Sequence, residues 1–333
     1  MIHDALLYPG VSDSHTHVGF YPSSASVEYQ AGDGTNLVLG KCLRSQYYSH
    51  CGVPRLPLEP DVAVKLEMGN WTHEMIVELV KRSGFWMGDE RRIFISGPPP
   101  VSGRADLFVK DPRDGSPVGC EIKSVGGYYG VKTTITGADA RPKDDHILQC
   151  MPYLEFYGQW GLNRWILLYI DRDSGAMAEY VIMLEDDGSA NVQGENFADI
   201  YRHINLKAIK HRWNKLLNCI AEGRLPEQDY ALQWSNKEIL RRLKAGDLNK
   251  TDTASVEKKL KAGKTDGLLL KKGDWQCAYC DFKDKCYGTS PDVSSDEVNP
   301  MTKPVNMSPE QLANIKGKGK KTVTDKVDGG EVF

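Results

Sequence analysis

Apolar positions recur at helical spacing in several stretches of this chain. Over 61–82, Ile76, Val77, Leu79 and Val80 mark one buried face, and over 195–222, Ile209, Trp213, Leu216, Leu217 and Ile220 mark another. Helices are also predicted over 36–50 and over Asn236 to Ala245. A further helix begins close to Gln149, because Pro152 is tolerated best in a first turn. Strand-like runs come in two pairs. Leu107 to Val109 and Val118 to Ile122 flank the turn formers Asp111-Pro112-Arg113-Asp114-Gly115-Ser116-Pro117. Trp165 to Ile170 and Ala178 to Leu184 flank Asp171-Arg172-Asp173-Ser174-Gly175. The predicted organisation is an irregular, Gly/Ser-rich segment over 1–35, one domain over 36–290, and a disordered tail over 291–333. No internal repeat is visible, and the strands of the active-site sheet fall within 91–123.

The first hairpin carries chemistry. Pairing its strands brings Asp106 and Glu121 to one end of a sheet, with Lys123 on the face of Glu121 because strand side chains alternate. Two carboxylates from neighbouring strands suit a hard cation such as Mg²⁺ or Mn²⁺, and a lysine beside it can stabilise charge on a phosphate. Gly69-Asn70-Trp71-Thr72-His73-Glu74 opens a predicted helix, and His73 near its start offers a nitrogen ligand. Gln149 and Tyr153, four residues apart, share a helix face and can position a nucleophile or nucleic acid. Taken singly, each has an ordinary structural reading: a turn carboxylate, an exposed strand glutamate, a satisfied helix histidine, a core tyrosine.

Cysteine adds a second constellation. Cys277, Cys280 and Cys286 are spaced C-x₂-C-x₅-C, and a tetrahedral metal or iron–sulfur site needs a fourth donor. The last histidine is His211, so that donor is remote, and Cys42 is the best placed. Spacing alone does not separate iron–sulfur from zinc. Cys120, Cys150 and Cys219 sit in apolar surroundings and read as small buried hydrophobes.

Together these motifs resemble the iron–sulfur-containing branch of the RecB-like nucleases, in the restriction-endonuclease-like PD-(D/E)XK superfamily. That branch includes CRISPR-associated RecB-like exonucleases, their phage-borne relatives and the AddB nuclease domain. The resemblance covers about residues 36–290, and the motifs fall in the family's order. It implies an α/β fold: a restriction-endonuclease-like core, with a central mixed sheet flanked by helices, under an iron–sulfur-stapled helical cap. It implies that His73, Asp106, Glu121 and the Ile122 carbonyl hold one or two Mg²⁺ or Mn²⁺ ions, and that Asp106, Glu121, Lys123, Gln149 and Tyr153 are catalytic. It implies a 4Fe–4S cluster on Cys42, Cys277, Cys280 and Cys286, with zinc as the rival. The implied activity is phosphodiester hydrolysis by metal-activated water, as an exonuclease on single-stranded DNA or DNA ends in recombination, repair, replication or CRISPR spacer handling. Two departures stand out. Leu43 replaces the proline of the family's Cys-Pro-Arg, which keeps Cys51 in contention with Cys42. After the Gly223-Arg224-Leu225-Pro226 turn, an insertion over 227–274 precedes the cysteine triplet and offers a place for a protein partner, as does the tail.

Composition changes this picture in three ways. The formal net charge is −3, so any DNA track is local; candidates are Arg44, Lys81-Arg82, Arg91-Arg92, Lys207 to Arg212 and, weakly, Lys316 to Thr322. Tyr47, Tyr48, Tyr128 and Tyr129 are candidates for stacking bases. Eight cysteines with no signal-peptide pattern point to a reducing, cytoplasmic setting (a host's, if phage-encoded), and no apolar run is long enough to span a bilayer. Two other readings remain: a catalytically silent DNA-end-binding protein of the same fold, and an amidohydrolase-like barrel using His15-x-His17.

Overall fold

A computed structural model describes residues 19–288 except 58, 195, 196, 198 and 199. Their centre is a six-stranded mixed sheet flanked by helices. In chain order its strands are β3 (Trp86–Ile95), β4 (Val101–Lys110), β5 (Pro117–Val125), β6 (Trp165–Asp171), β7 (Met177–Leu184) and β8 (Ala190–Val192), and they lie side by side in that order. Each neighbouring pair is antiparallel except β5 and β6, which run parallel. A parallel pair needs a long crossover. The segment between them supplies it, with the short helix α3 (Tyr128–Val131) and the helix α4 (Asp144–Gly158).

The two faces of the sheet are covered by different helices. α2 (Pro60–Ser83) packs Ile76 and Val77 onto Leu107, Cys120, Ile122, Leu168 and Ile170. α4 buries Ile147, Leu148, Cys150, Met151 and Leu154 in the larger core, with Phe108, Trp165 and Leu167. Alternation along β5 therefore sends Cys120 and Ile122 towards α2 and leaves Glu121 and Lys123 facing α4. Gly119 also faces the larger core, where an added Cβ would lie 2.3 Å from the Trp165 ring. The strand thus needs glycine there.

The hairpin elements, the second strand pair and the Asn236–Ala245 helix fall where the sequence pattern puts them. Four expectations are corrected. Within 1–35, Ser26–Gln30 is a strand, β1, paired antiparallel with β2 (Asn36–Gly40). The predicted 36–50 helix is therefore shorter: α1 spans Leu43–His50, with Cys42 as its N-cap residue. The helix over 195–222 begins only at Leu206 (α5, Leu206–Glu222), where the Asn205 side chain caps the Lys207 amide. α4 starts at Asp144, so Pro152 sits inside it; its buried apolar residues outweigh the local cost of proline.

The 227–274 insertion forms α6 (Asn236–Ala245) and α7 (Lys250–Lys261) around a small core of Ile239, Leu248, Val256, Leu268 and Leu269. The triplet cysteines follow on α8 (Trp275–Ala278) and α9 (Lys283–Tyr287) and the turn between them. An open mixed sheet is not an eight-stranded parallel barrel, which removes the amidohydrolase reading; His15 and His17 lie outside the described residues. The tail beyond 288 lies outside them as well. Among the described residues, no helix is long and apolar enough to cross a membrane.

Candidate active site

The β4–β5 ladder ends at the pair Leu107–Cys120, and beyond it the strands part. Asp106 stands at this opening, where its Oδ2 accepts the Ile122 amide at 2.9 Å. Glu121 Oε1 accepts from Lys123 Nζ at 2.7 Å and from Gln149 Nε2 at 2.7 Å, while Gln149 Oε1 accepts from Lys123 at 2.9 Å. β5 and α4 thus close a three-membered polar ring of Glu121, Lys123 and Gln149, beside Asp106 from β4. α2 adds His73, which lies past the middle of this helix rather than near its start because the helix already begins at Pro60, and its Nε2 is 3.3 Å from Asp106 Oδ1.

Electrostatics make this cluster unusual. Glu121 is 2% exposed, and burial pushes its carboxyl up to about 7; the Lys123 ammonium pulls the other way and Asp106 adds to the rise. Burial opposes the charge on Lys123, yet Glu121 and Asp106 together outweigh it and hold the ammonium above its ordinary value. His73 is raised by its contact with Asp106, against the effect of burial. Two atoms here are buried without a hydrogen-bond partner, Glu121 Oε2 and His73 Nε2, the latter close to Asp106 but out of line for a bond. A buried polar atom left unpaired is costly, which sets these two apart from the satisfied polar groups around them.

The oxygen and nitrogen donors therefore fit a hard divalent cation, with the Ile122 carbonyl on the same strand. Among the described residues, no three His, Cys, Asp or Glu side chains are drawn together at metal-ligand spacing, so these donors would have to close in to bind one.

Tyr153 does not join Gln149 in the cluster. It is 2% exposed, stacks on Trp165 with centroids 5.0 Å apart, and donates to the Arg104 carbonyl at 2.8 Å. Burial holds its hydroxyl far above the usual phenol range. Its position is that of a core tyrosine that fixes the β4 backbone just before Asp106.

Four of the cysteines border a second place. Cys42, Cys277, Cys280 and Cys286 line one cavity of about 1280 Å³, and Cys51 is not among its lining residues. Arg44 Nη1 lies 3.8 Å from Cys286 Sγ, Gln228 Nε2 lies 3.5 Å from the same sulfur, and the Tyr287 hydroxyl is 3.4 Å from Cys277 Sγ. Burial, then Asp229, pushes the Cys42 thiol up to about 11. Thiolate is the donor that both a cluster and zinc take, but among the described residues no three cysteines stand at metal-ligand spacing, so these four would have to close in to hold either. Cys120, Cys150 and Cys219 are 4%, 0% and 0% exposed, as expected of structural thiols, and all eight cysteines are free.

Several candidate DNA contacts are buried or already paired within the chain. Tyr47 and Tyr48 are each 7% exposed and belong to the core, so neither presents a ring to a base. Arg212 is 1% exposed and pairs with Asp229 at 2.6 Å. Lys210 pairs with Glu155, Lys81 with Asp89, and Arg82 with Glu78. Arg91 packs over the Phe108 ring. Tyr128 and Tyr129, by contrast, are 70% and 80% exposed and follow β5 directly.

Sequence reasoning missed the residues that seat Cys42. Asp229 accepts the Leu43 amide at 2.7 Å, and Tyr230 donates to the Gly40 carbonyl at 2.7 Å. Their only signal was position, just after the Gly223–Pro226 turn.

No family model matches the chain, and none of the curated proteins does. Among solved structures it is similar to the crystal structure of SSO0001, at 16% identity and a TM-score of 0.39, covering 86% of this chain and 96% of that one. A likeness of that size carries no argument about fold or function.

Proposed function

We propose that the protein is a metal-dependent deoxyribonuclease with a restriction-endonuclease-like core and an iron–sulfur-stapled helical cap. It acts inside the cell, most readily as an exonuclease on single-stranded DNA or DNA ends. The observation that carries the reading is the convergence of Asp106, buried Glu121 and Lys123 where the β4–β5 ladder ends, with a carboxylate oxygen and an imidazole nitrogen left unpartnered.

Mg²⁺ or Mn²⁺, held by His73, Asp106, Glu121 and the Ile122 carbonyl, would supply Lewis-acid chemistry to a scissile phosphodiester. Asp106 fixes the local backbone through the Ile122 amide, which sets the direction of that carbonyl's strand. Lys123 keeps its proton and offers a fixed positive charge to the phosphate oxygens as they gain charge. Gln149 bridges Lys123 and Glu121 and so holds both against rotation. Tyr153 is a positioning residue through Arg104 rather than a catalytic one. Tyr128 and Tyr129 offer exposed rings next to the catalytic strand, on which the bases of a single strand can stack. The four cysteines would hold a 4Fe–4S cluster, or zinc, that ties the start of α1 to the C-terminal helices.

The test is digestion of end-labelled single-stranded DNA with Mn²⁺, by wild-type protein and by Glu121→Gln and Lys123→Met. Cleavage is expected to fall at least 100-fold in both variants while DNA binding persists. A wild type that binds but never cuts, with any divalent ion, would make it the catalytically silent end-binding relative instead. Visible absorption and iron content after anaerobic purification separate iron–sulfur from zinc.

A further inference from the structure

The insertion has a charge pattern of its own. Between Asn236 and Lys272 stand eleven lysines and arginines against five aspartates and glutamates, in a chain whose formal net charge is −3. Its arginines are consumed internally: Arg241 pairs with Glu238 and Asp247, and Arg242 with Glu238 and Asp274. Two lysines are structural as well. Lys259 donates to the Gly267 and Leu268 carbonyls, and Lys272 pairs with Asp252.

The lysines along the outer side of α7 are different. Helical spacing places Lys250, Ala254, Lys258 and Lys261 on one face, within about 80° of one another, opposite Asp252, Val256 and Leu260, which pack inward. Lys264 follows just past the helix end. All four lysines are exposed, and none makes an ion pair or a side-chain hydrogen bond among the described residues. Glu257 is the one acid on this face, and Ala254 leaves its middle low. Lys250 and Lys261 are roughly 17 Å apart along the helix axis, about five steps of a nucleic-acid strand. A solvated face needs only mixed charge; this one is a row of unpaired ammonium groups at a spacing a phosphate backbone matches.

We propose that the α7 face of the insertion, Lys250, Lys258, Lys261 and Lys264, is an accessory binding site for the phosphate backbone of DNA. It reads no bases, because lysines on a convex face reach phosphates and carry no sequence information. Its role is to hold the DNA through several phosphates while the end is worked on elsewhere in the protein. The proposal rests on the nuclease reading for the choice of DNA over another polyanion.

The experiment is binding of fluorescently labelled duplex DNA carrying a single-stranded end, followed by anisotropy in EDTA over a range of salt. It compares the full-length wild type with the variant carrying Lys250→Gln, Lys258→Gln, Lys261→Gln and Lys264→Gln, and with the matching four Lys→Arg changes. Each phosphate neutralised on duplex contributes about 0.9 to the slope of log affinity against log salt. The glutamine variant is expected to lose about 3 to 4 from that slope and to bind at least tenfold more weakly at low salt. The arginine variant should keep the wild-type slope. Mn²⁺-dependent cleavage of a short single strand should be unchanged in both, since these lysines lie outside the catalytic cluster. An unchanged slope in the glutamine variant overturns the proposal and leaves the nuclease reading standing. A wild type that binds no DNA at any salt overturns both.

Discussion

Arg212 offers a sharp test of how the N-terminal hairpin, α5 and the cysteine-bearing segment are held together. Its guanidinium is 1% exposed. Nη2 pairs with Asp229 Oδ2 at 2.6 Å, Nε donates to Ser26 Oγ at 3.2 Å, and Nη1 lies 3.6 Å from Glu28 Oε2. Asp229 Oδ2 also accepts the Leu43 amide that opens α1, next to Cys42. Arg212→Met fills most of the space but leaves the Asp229 carboxylate buried with only an amide donor. Removing one partner of a buried pair costs about 3–5 kcal/mol, against roughly 0.5 kcal/mol or less for an exposed charge. At about 2–4 °C per kcal/mol for a chain of this size, the expected fall in Tm is roughly 6–20 °C. Urea denaturation followed by circular dichroism gives the free energy directly, with Lys207→Ala as the exposed control from the same helix. Adding Asp229→Asn to Arg212→Met should restore much of the loss, because the neutral amide still accepts from Leu43 and no unpaired charge remains. A loss below about 1 kcal/mol, no larger than that of the control, would refute the argument and return Arg212 to the solvated surface.

Two further expectations concern the neighbourhood of the site. Burial pushes His146 down to about 4, with Asp145 opposing and Lys123 and Lys143 adding to the fall, while its Nδ1 meets the Tyr169 hydroxyl at 2.8 Å. A depressed folded value means stability that is present above the unfolded value near 6.5 and lost as pH falls through about 4. The stability of wild type minus that of His146→Phe should therefore rise by on the order of 3 kcal/mol between pH 4 and 7, read from urea curves at each pH; a flat difference would show that His146 is not held neutral. Tyr153→Phe should cost about 1–3 kcal/mol, because the Arg104 carbonyl loses its donor, while cleavage per folded molecule stays within a few-fold of wild type. A 100-fold fall in cleavage with unchanged stability would instead make Tyr153 catalytic.

Much of this site is visible in the chain because it is local. Asp106 and Glu121 belong to one hairpin with a turn-rich connection, and period-two alternation alone puts Glu121 and Lys123 on one side. Gln149 was legible only as part of a motif, since nothing in its own surroundings says that α4 crosses above β5. The failures share a cause as well. Tyr47, Tyr48, Tyr153 and Arg212 carry the polar or aromatic groups that DNA binders use, yet each is buried against another side chain: Tyr47 packs edge-on to Tyr48, Phe282 lies against Tyr48, Trp165 stacks on Tyr153, and Asp229 pairs with Arg212. Composition counts such residues as surface chemistry; only tertiary packing reveals that their polar atoms are spent inside. The same reasoning runs in reverse for the lysines of α7. There the helix pattern itself assigns Val256 and Leu260 to the inside, and among the described residues the four lysines make no ion pair. A charge without an internal partner is where a search for external ones should begin, and the contrast with Lys259, which caps two backbone carbonyls, shows that the chain uses lysine both ways within one helix.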